Sequence, residues 1–178
     1  MPGSSPSDPA AQDQDPQERI LIARKPLKGA ASGPGQPTDR GGGWVLAQTV
    51  LMVMFVVLVF LPPFWPRQLS YVGVPLALIG AAGFVWSARA LGKSLTPYPR
   101  PRETGELIEK GPYRFVRHPI YVAGLLFFLG AGLASSVPAT IGALALGTLW
   151  WQKASVEEAH LAARFPAYED YRRRVRRL

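Results

Sequence analysis

Residues 111–135 read GPYRFVRHPIYVAGLLFFLGAGLAS. The first eleven, Gly111 to Tyr121, hold one of the chain's two histidines, two arginines and two tyrosines, and they open directly onto an apolar run. Pro119 biases His118 away from the α region and itself suits the first position of a helix. A helix is therefore expected from Pro119 to about Ser135, and Ser135-Ser136-Val137-Pro138 reads as the tip of a helical hairpin. Ionisable groups at membrane depth are costly, so a polar string at the mouth of a membrane helix is a functional-site hypothesis by default.

Three more apolar segments accompany this one. Trp44 to Leu61 carries no charge and covers roughly 27 Å at 1.5 Å per residue, enough to cross most of a hydrocarbon core. Pro62, Pro63 and Pro66 break it. The next runs from about Val72 to Leu91, with Arg89 placed to snorkel to the interface. The last, Val137 to Trp151, returns from the hairpin tip, and length alone allows the hairpin to cross fully or to be re-entrant. Gly80, Gly83, Gly124, Gly130, Gly132, Gly142 and Gly147 would let helix backbones approach closely, and they read as packing residues rather than cofactor loops. Basic residues crowd the N-terminal segment, the 93–117 loop and the C-terminus, whereas the two opposite loops offer only Arg67. The positive-inside rule then predicts an all-α integral membrane protein of about four transmembrane helices. Both termini and the polar clusters would face the cytosol, in a bacterial-type inner (plasma) membrane.

Residues 1–43 are rich in Pro, Gly, Ser, Asp and Gln and contain no aromatic residue. Such a segment buries too little apolar surface to offset its ordering entropy, and it reads as a disordered cytosolic tail ahead of a membrane domain at 44–178. It lacks the basic start and apolar core of a secretory signal. The absence of cysteine excludes disulfides, Cys-ligated zinc and thiol catalysis. The net charge of +8 flanks apolar segments and comes with no recognition motif, so nucleic acid is not expected as a partner. Beyond Trp151, Val156, Leu161, Phe165, Tyr168, Tyr171 and Val175 form an apolar stripe broken at Pro166. It predicts one or two amphipathic helices against the cytosolic face, with the closing arginines as an anchor to anionic lipid.

His118 falls at an N-cap, where unpaired N–H groups and the helix dipole favour an anion. Tyr121 lies three residues on and so shares its face, and Lys153 and Glu157, four apart, share another. Docked together, they would combine an anion-binding helix start, aromatic rings and a carboxylate, a set suited to a zwitterion that also bears a cationic centre. The tyrosines could equally be interfacial belt residues, and Lys153 with Glu157 a solvated pair. Glu157-x-x-His160 has a metal-motif spacing, but the partner carboxylates on other helices are missing, so no metal is expected. No strand, Gly-rich turn and helix pattern marks a soluble dinucleotide fold.

Leu107-Ile108-x-x-Gly111-Pro112-Tyr113-x-x-x-Arg117-His118-Pro119-x-Tyr121, with Glu157-Glu158-x-x-Leu161 downstream, resembles the membrane methyltransferases of the isoprenylcysteine carboxyl methyltransferase and phospholipid methyltransferase group over about residues 72–178. The resemblance implies S-adenosyl-L-methionine as methyl donor in a cytosol-facing pocket. Tyr113, His118, Pro119, Ile120, Tyr121 and Glu157 would line it, with the Leu107-Ile108 backbone beside the adenosine. His118, Lys153 and Glu157 would be the catalytic set, and the lipid bilayer would deliver a hydrophobic or lipid-like acceptor. Lys153 stands where enzymes acting on isoprenylcysteine have a substrate-contacting arginine, and lysine lacks the two-pronged carboxylate clamp. Phe165-Pro166-Ala167-Tyr168 also departs from the family's usual Phe-Gly and longer spacing. The expected activity is isoprenylcysteine-carboxyl-methyltransferase-like. Phospholipid amine N-methylation, small thiol or carboxylate methylation, and a non-catalytic adaptor or transporter-like role are the alternatives.

Overall fold

Long uncharged runs ended by proline or glycine become helices in the computed structural model, which describes residues 41–61, 66–101 and 105–177. These helices belong to one compact unit, Asp39–Leu178. Residues 1–40 of the expected tail lie outside the described residues; its last two residues already belong to the first helix. That helix, α1, spans Gly42–Val59 and stops ahead of Pro62-Pro63. A short 3₁₀ turn, Arg67–Leu69, leads into α2 (Ser70–Leu91). After a long loop, α3 (Pro119–Ser135) and α4 (Val137–Arg164) form the hairpin, and α5 (Tyr168–Arg174) closes the described fold.

The hairpin tip sits where the sequence puts it. Ser136 caps α4 by accepting from the Ala139 N–H at 3.2 Å, and its hydroxyl donates to the Leu58 carbonyl of α1 at 2.8 Å. One buried serine therefore closes α4 and ties α1 to the tip. In space the order is α2, α3, α4, α1, and α1 and α2 share no substantial interface. The α2–α3 contact is backbone against backbone. A Cβ on Gly73 would lie 2.6 Å from the Gly130 carbonyl, and one on Gly80 would collide with the Phe127 amide. Small residues license that approach. On the other side Phe55, Ala139, Ala143, Leu146 and Trp150 form the apolar core between α1 and α4.

The outward faces of α1 and α2 are apolar and uncovered: Val53, Val57, Val72, Leu78 and Ile79 are all well exposed. The helix at Gly42–Val59 and the stretch Arg67–Ser94 are long and apolar enough to cross a membrane, and α3 is a shorter apolar helix. A core helix of a soluble protein would bury such faces. Here they suit hydrocarbon.

Two expectations need correction. The region past Trp151 does not start a separate helix, because α4 runs unbroken to Arg164. At roughly 42 Å it is longer than a hydrocarbon core, and its last turns carry the apolar segment Val137–Trp151 on into polar sequence. The aromatic stripe is also not laid against lipid. Tyr168, Tyr171 and Val175 are buried against Leu107, Leu161 and Phe165. Arg172, Arg174 and Arg177 of the closing run pair with Glu169, Glu109 and Glu158 of the protein itself.

Candidate active site

The 105–118 loop, the polar end of α4 and the start of α3 converge on a cavity of about 380 Å³. Gly111, with φ 62, makes the turn into the 3₁₀ segment Gly111–Arg114, a conformation that a side chain would strain. That turn buries Tyr113 and leads to His118 at the N-cap of α3. Leu107, Ile108, Tyr113, His118, Ile120, Tyr121, Lys153 and Glu157 all line the cavity. Pro119 does not; it is buried at the first turn of α3, where its missing N–H costs nothing.

Glu157 is the wall's acceptor. Tyr121 donates its hydroxyl to Glu157 Oε1 at 2.5 Å, and His118 Nδ1 lies 3.7 Å from Oε2. Burial pushes the Glu157 carboxyl above the usual range, opposed by the Tyr121 hydrogen bond and by the nearby His118 and Lys153. Tyr113 Oη is buried with no hydrogen-bond partner among the described residues. Burial, helped by the Glu157 charge, raises its pKa and keeps it a neutral donor. The Tyr121 ring stacks on both His118 and Trp150, at centroid distances of 5.7 and 5.8 Å.

Lys153 is 1% exposed, so the solvated pair with Glu157 is ruled out. Its ammonium donates to Gln48 Oε1 of α1 at 3.0 Å and to the Pro97 carbonyl at 2.7 Å. Gln48 Oε1 also accepts from Trp150 Nε1 at 3.0 Å, and Gln48 itself lines the cavity. Burial lowers the Lys153 pKa, and the Glu157 charge opposes that shift. His160 turns elsewhere. Its Nδ1 donates to the Val156 carbonyl at 2.7 Å, and Nε2 accepts from Arg100 at 3.4 Å.

Behind the wall stands a second set that the sequence quoted in its motifs without assigning a role. Glu158 Oε1 accepts from His118 Nε2 at 2.9 Å and from Arg117 Nε and Nη2 at 3.1 and 3.0 Å. Arg177 Nε approaches the same oxygen at 3.5 Å. Burial alone would raise the Glu158 carboxyl; the His118 hydrogen bond and the Arg117 charge outweigh it and hold it below the usual range. Gln48 did carry a sequence signal, as a lone amide in an apolar helix. Arg177 carried none, because its partners are set only by the fold.

Residues 69–167 match the model of the family described as phospholipid methyltransferase. Two curated relatives are similar over part of their length. The cobalt-zinc-cadmium resistance protein CzcN of Cupriavidus metallidurans is 34% identical over 109 residues, 60% of this chain and 45% of that protein. The nickel-cobalt-cadmium resistance protein NccN of Alcaligenes xylosoxydans xylosoxydans is 32% identical over 105 residues, 58% of this chain and 44% of that protein. The chain thus spans under half the length of these relatives. Among solved structures, the eukaryotic intramembrane Ras methyltransferase ICMT, an isoprenylcysteine carboxyl methyltransferase, matches with a TM-score of 0.56 at 19% identity. That match covers 88% of this chain and 57% of the other, and it shows a shared fold.

Proposed function

Because the chain belongs to the phospholipid methyltransferase family, we propose that this membrane methyltransferase uses S-adenosyl-L-methionine to methylate a hydrophobic, membrane-borne acceptor. The observation that carries the reading is the unmet hydrogen-bonding capacity of one cavity. Among the described residues Tyr113 Oη lacks a partner, and Glu157 Oε2 is approached only by His118 Nδ1, at 3.7 Å. A ligand bearing hydroxyl and ammonium groups would satisfy both, and a cavity of about 380 Å³ falls within the roughly 300–1,000 Å³ typical of small-molecule sites.

When bound, the cofactor supplies an electrophilic methyl group next to a sulfonium charge. Glu157 would accept from its amine or hydroxyl groups, and the Tyr113 ring could face the sulfonium, since the Tyr121 ring is already stacked. Lys153, with two of its three donors taken by Gln48 and Pro97, keeps one for the acceptor. A carboxylate acceptor needs no base. A thiol or amine must lose a proton, and His118 is then the base of choice, because both ring nitrogens of His160 are engaged. Met52 of α1 and Phe84 of α2 flank the cavity where these helices fail to meet. An apolar chain could reach the site there while remaining in lipid, at about 0.8 kcal/mol per buried methylene. The site then lies on the cytosolic side, with the hairpin crossing the membrane and both termini inside.

The test has two stages. Detergent-purified protein should bind S-adenosyl-L-methionine at equilibrium; absence of binding would leave the adaptor or transporter-like reading. Membranes given methyl-labelled cofactor should then transfer label to a lipid-extractable species. Base-labile label identifies a carboxylate acceptor, and stable label a thiol or amine.

A further inference from the structure

The two histidines occupy opposite hydrogen-bonding situations. His160 Nδ1 faces a carbonyl, which can only accept, so Nδ1 carries the proton and Nε2 receives the Arg100 N–H. At His118 the order is reversed. Its Nε2 lies 2.9 Å from Glu158 Oε1, which also receives two N–H groups of Arg117. An oxygen so placed among cationic donors is an ionised acceptor, and a bare ring nitrogen at that distance would be repelled. Nε2 therefore carries the proton. Nδ1, on the cavity side, lies 3.7 Å from Glu157 Oε2. With the ring neutral and Glu157 ionised, that leaves two acceptors facing each other with no donor between them among the described residues.

We infer that Glu158 is a positioning residue: it fixes His118 as the Nε2–H tautomer, so that Nδ1 is offered to the ligand as an acceptor beside Glu157. The clamp that holds Glu158 comes from the end of the fold. Arg117 donates its backbone N–H to the Arg176 carbonyl at 2.8 Å and its Nη1 to the Arg172 and Val175 carbonyls, so the 175–177 segment is strapped to the motif loop. Arg177 lies over the Trp151 ring at 4.4 Å and donates to Ser155 Oγ at 2.6 Å, which holds its guanidinium charge beside Glu158, with Nε 3.5 Å from Oε1. The charged groups facing His118 are thus Glu157 and Glu158 from α4, Arg117 beside it and Arg177 from the strap, with the Tyr121 ring stacked on it. An outer carboxylate that sets a histidine's tautomer is a general device for making the other ring nitrogen a defined ligand.

The consequence for cofactor affinity rests on the proposed function; the tautomer does not. The test is the ¹⁵N spectrum of the full-length, histidine-labelled protein in micelles at about pH 8, above the ordinary titration range of imidazole. Two histidines make the spectrum simple, and His160→Gln assigns it. The expected result is one ring protonated only at Nε2, His118, and one only at Nδ1, His160. A wild-type His118 carrying its proton on Nδ1, or on both nitrogens, overturns the proposal without any variant. Glu158→Ala should mix the His118 tautomers and weaken S-adenosyl-L-methionine binding by about tenfold. Glu158→Gln, which keeps an acceptor oxygen, should hold the wild-type tautomer, and Arg177→Ala should loosen it. Unchanged spectra in Glu158→Ala overturn the inference. The expected spectra with no binding by the wild type overturn the cofactor reading alone.

Discussion

The cavity wall and the clamp behind it meet in adjacent residues of α4, and they hold their carboxylates in opposite ways. Glu157, on the wall, receives one phenolic hydrogen bond and is pushed by burial toward the neutral form. Glu158, turned about 100° around the helix, sits among Arg117, His118 and Arg177 and is held ionised. Within the clamp, Arg117 and His118 meet Glu158 at hydrogen-bond distance and Arg177 Nε approaches it at 3.5 Å, so its strength goes into orientation. The wall leaves hydrogen-bonding capacity unmet, and unmet capacity is what a ligand can use. One polar turn thus contains a candidate binding surface and the scaffold that aims it.

The largest break in this contrast is Glu157→Ala. Losing a hydrogen bond to a charged group costs about 2–3 kcal/mol, so cofactor affinity measured by equilibrium dialysis should fall roughly 30- to 150-fold. Folding should survive, because the fold loses a single side-chain hydrogen bond, the one from Tyr121. Retained affinity would move the ligand's polar groups away from the wall. Lys153→Met sharpens the contrast within the wall itself. If its ammonium meets the acceptor, as proposed, turnover should drop about tenfold while the cofactor dissociation constant stays within about threefold. Equal losses in both would assign Lys153 to the cofactor half.

Much of this was legible, and the exceptions have physical causes. Pro119 and the Ser135-Ser136-Val137-Pro138 tip marked α3 and the start of α4, because proline and a serine cap act locally. The glycines of α2 and α3 read correctly as packing sites, since bilayer helices gain by close approach. The continuity of α4 was hidden by its change of solvent. Composition turns polar at Gln152, yet Lys153, Ala154, Glu157, Glu158, Ala159 and Leu161 all favour helix, and nothing breaks it before Pro166. Tyr168 and Tyr171 had the spacing of an interfacial stripe but meet Leu107 and Phe165 instead, because periodicity names a face and not its partner. Meeting of His118 with Glu157 was expected from the family motifs. The roles of Gln48 and Arg177 depend on contacts across 105 and 19 residues, which no local pattern encodes.

The smallest expected effect is the most specific to the two neighbours, because they tilt stability with pH in opposite senses. Glu158 titrates below the ordinary glutamate value of about 4.3 when folded, so the unfolded chain takes up its proton first as the medium is acidified. Its contribution is complete above that ordinary value and disappears as pH falls through the lower, folded one. Glu157 titrates above its ordinary value when folded. Its contribution is complete below the ordinary value and is lost as pH rises through the raised one. Thermal unfolding in detergent, followed by tryptophan fluorescence between about pH 3 and pH 8, separates them. Relative to wild type, Glu158→Gln should lower Tm by a few degrees at neutral pH, with the loss shrinking as the medium is acidified. Glu157→Gln should raise Tm at neutral pH, with the gain shrinking as the medium is acidified. If both variants shift Tm in the same direction across the range, the two carboxylates share one environment and the division between wall and clamp fails.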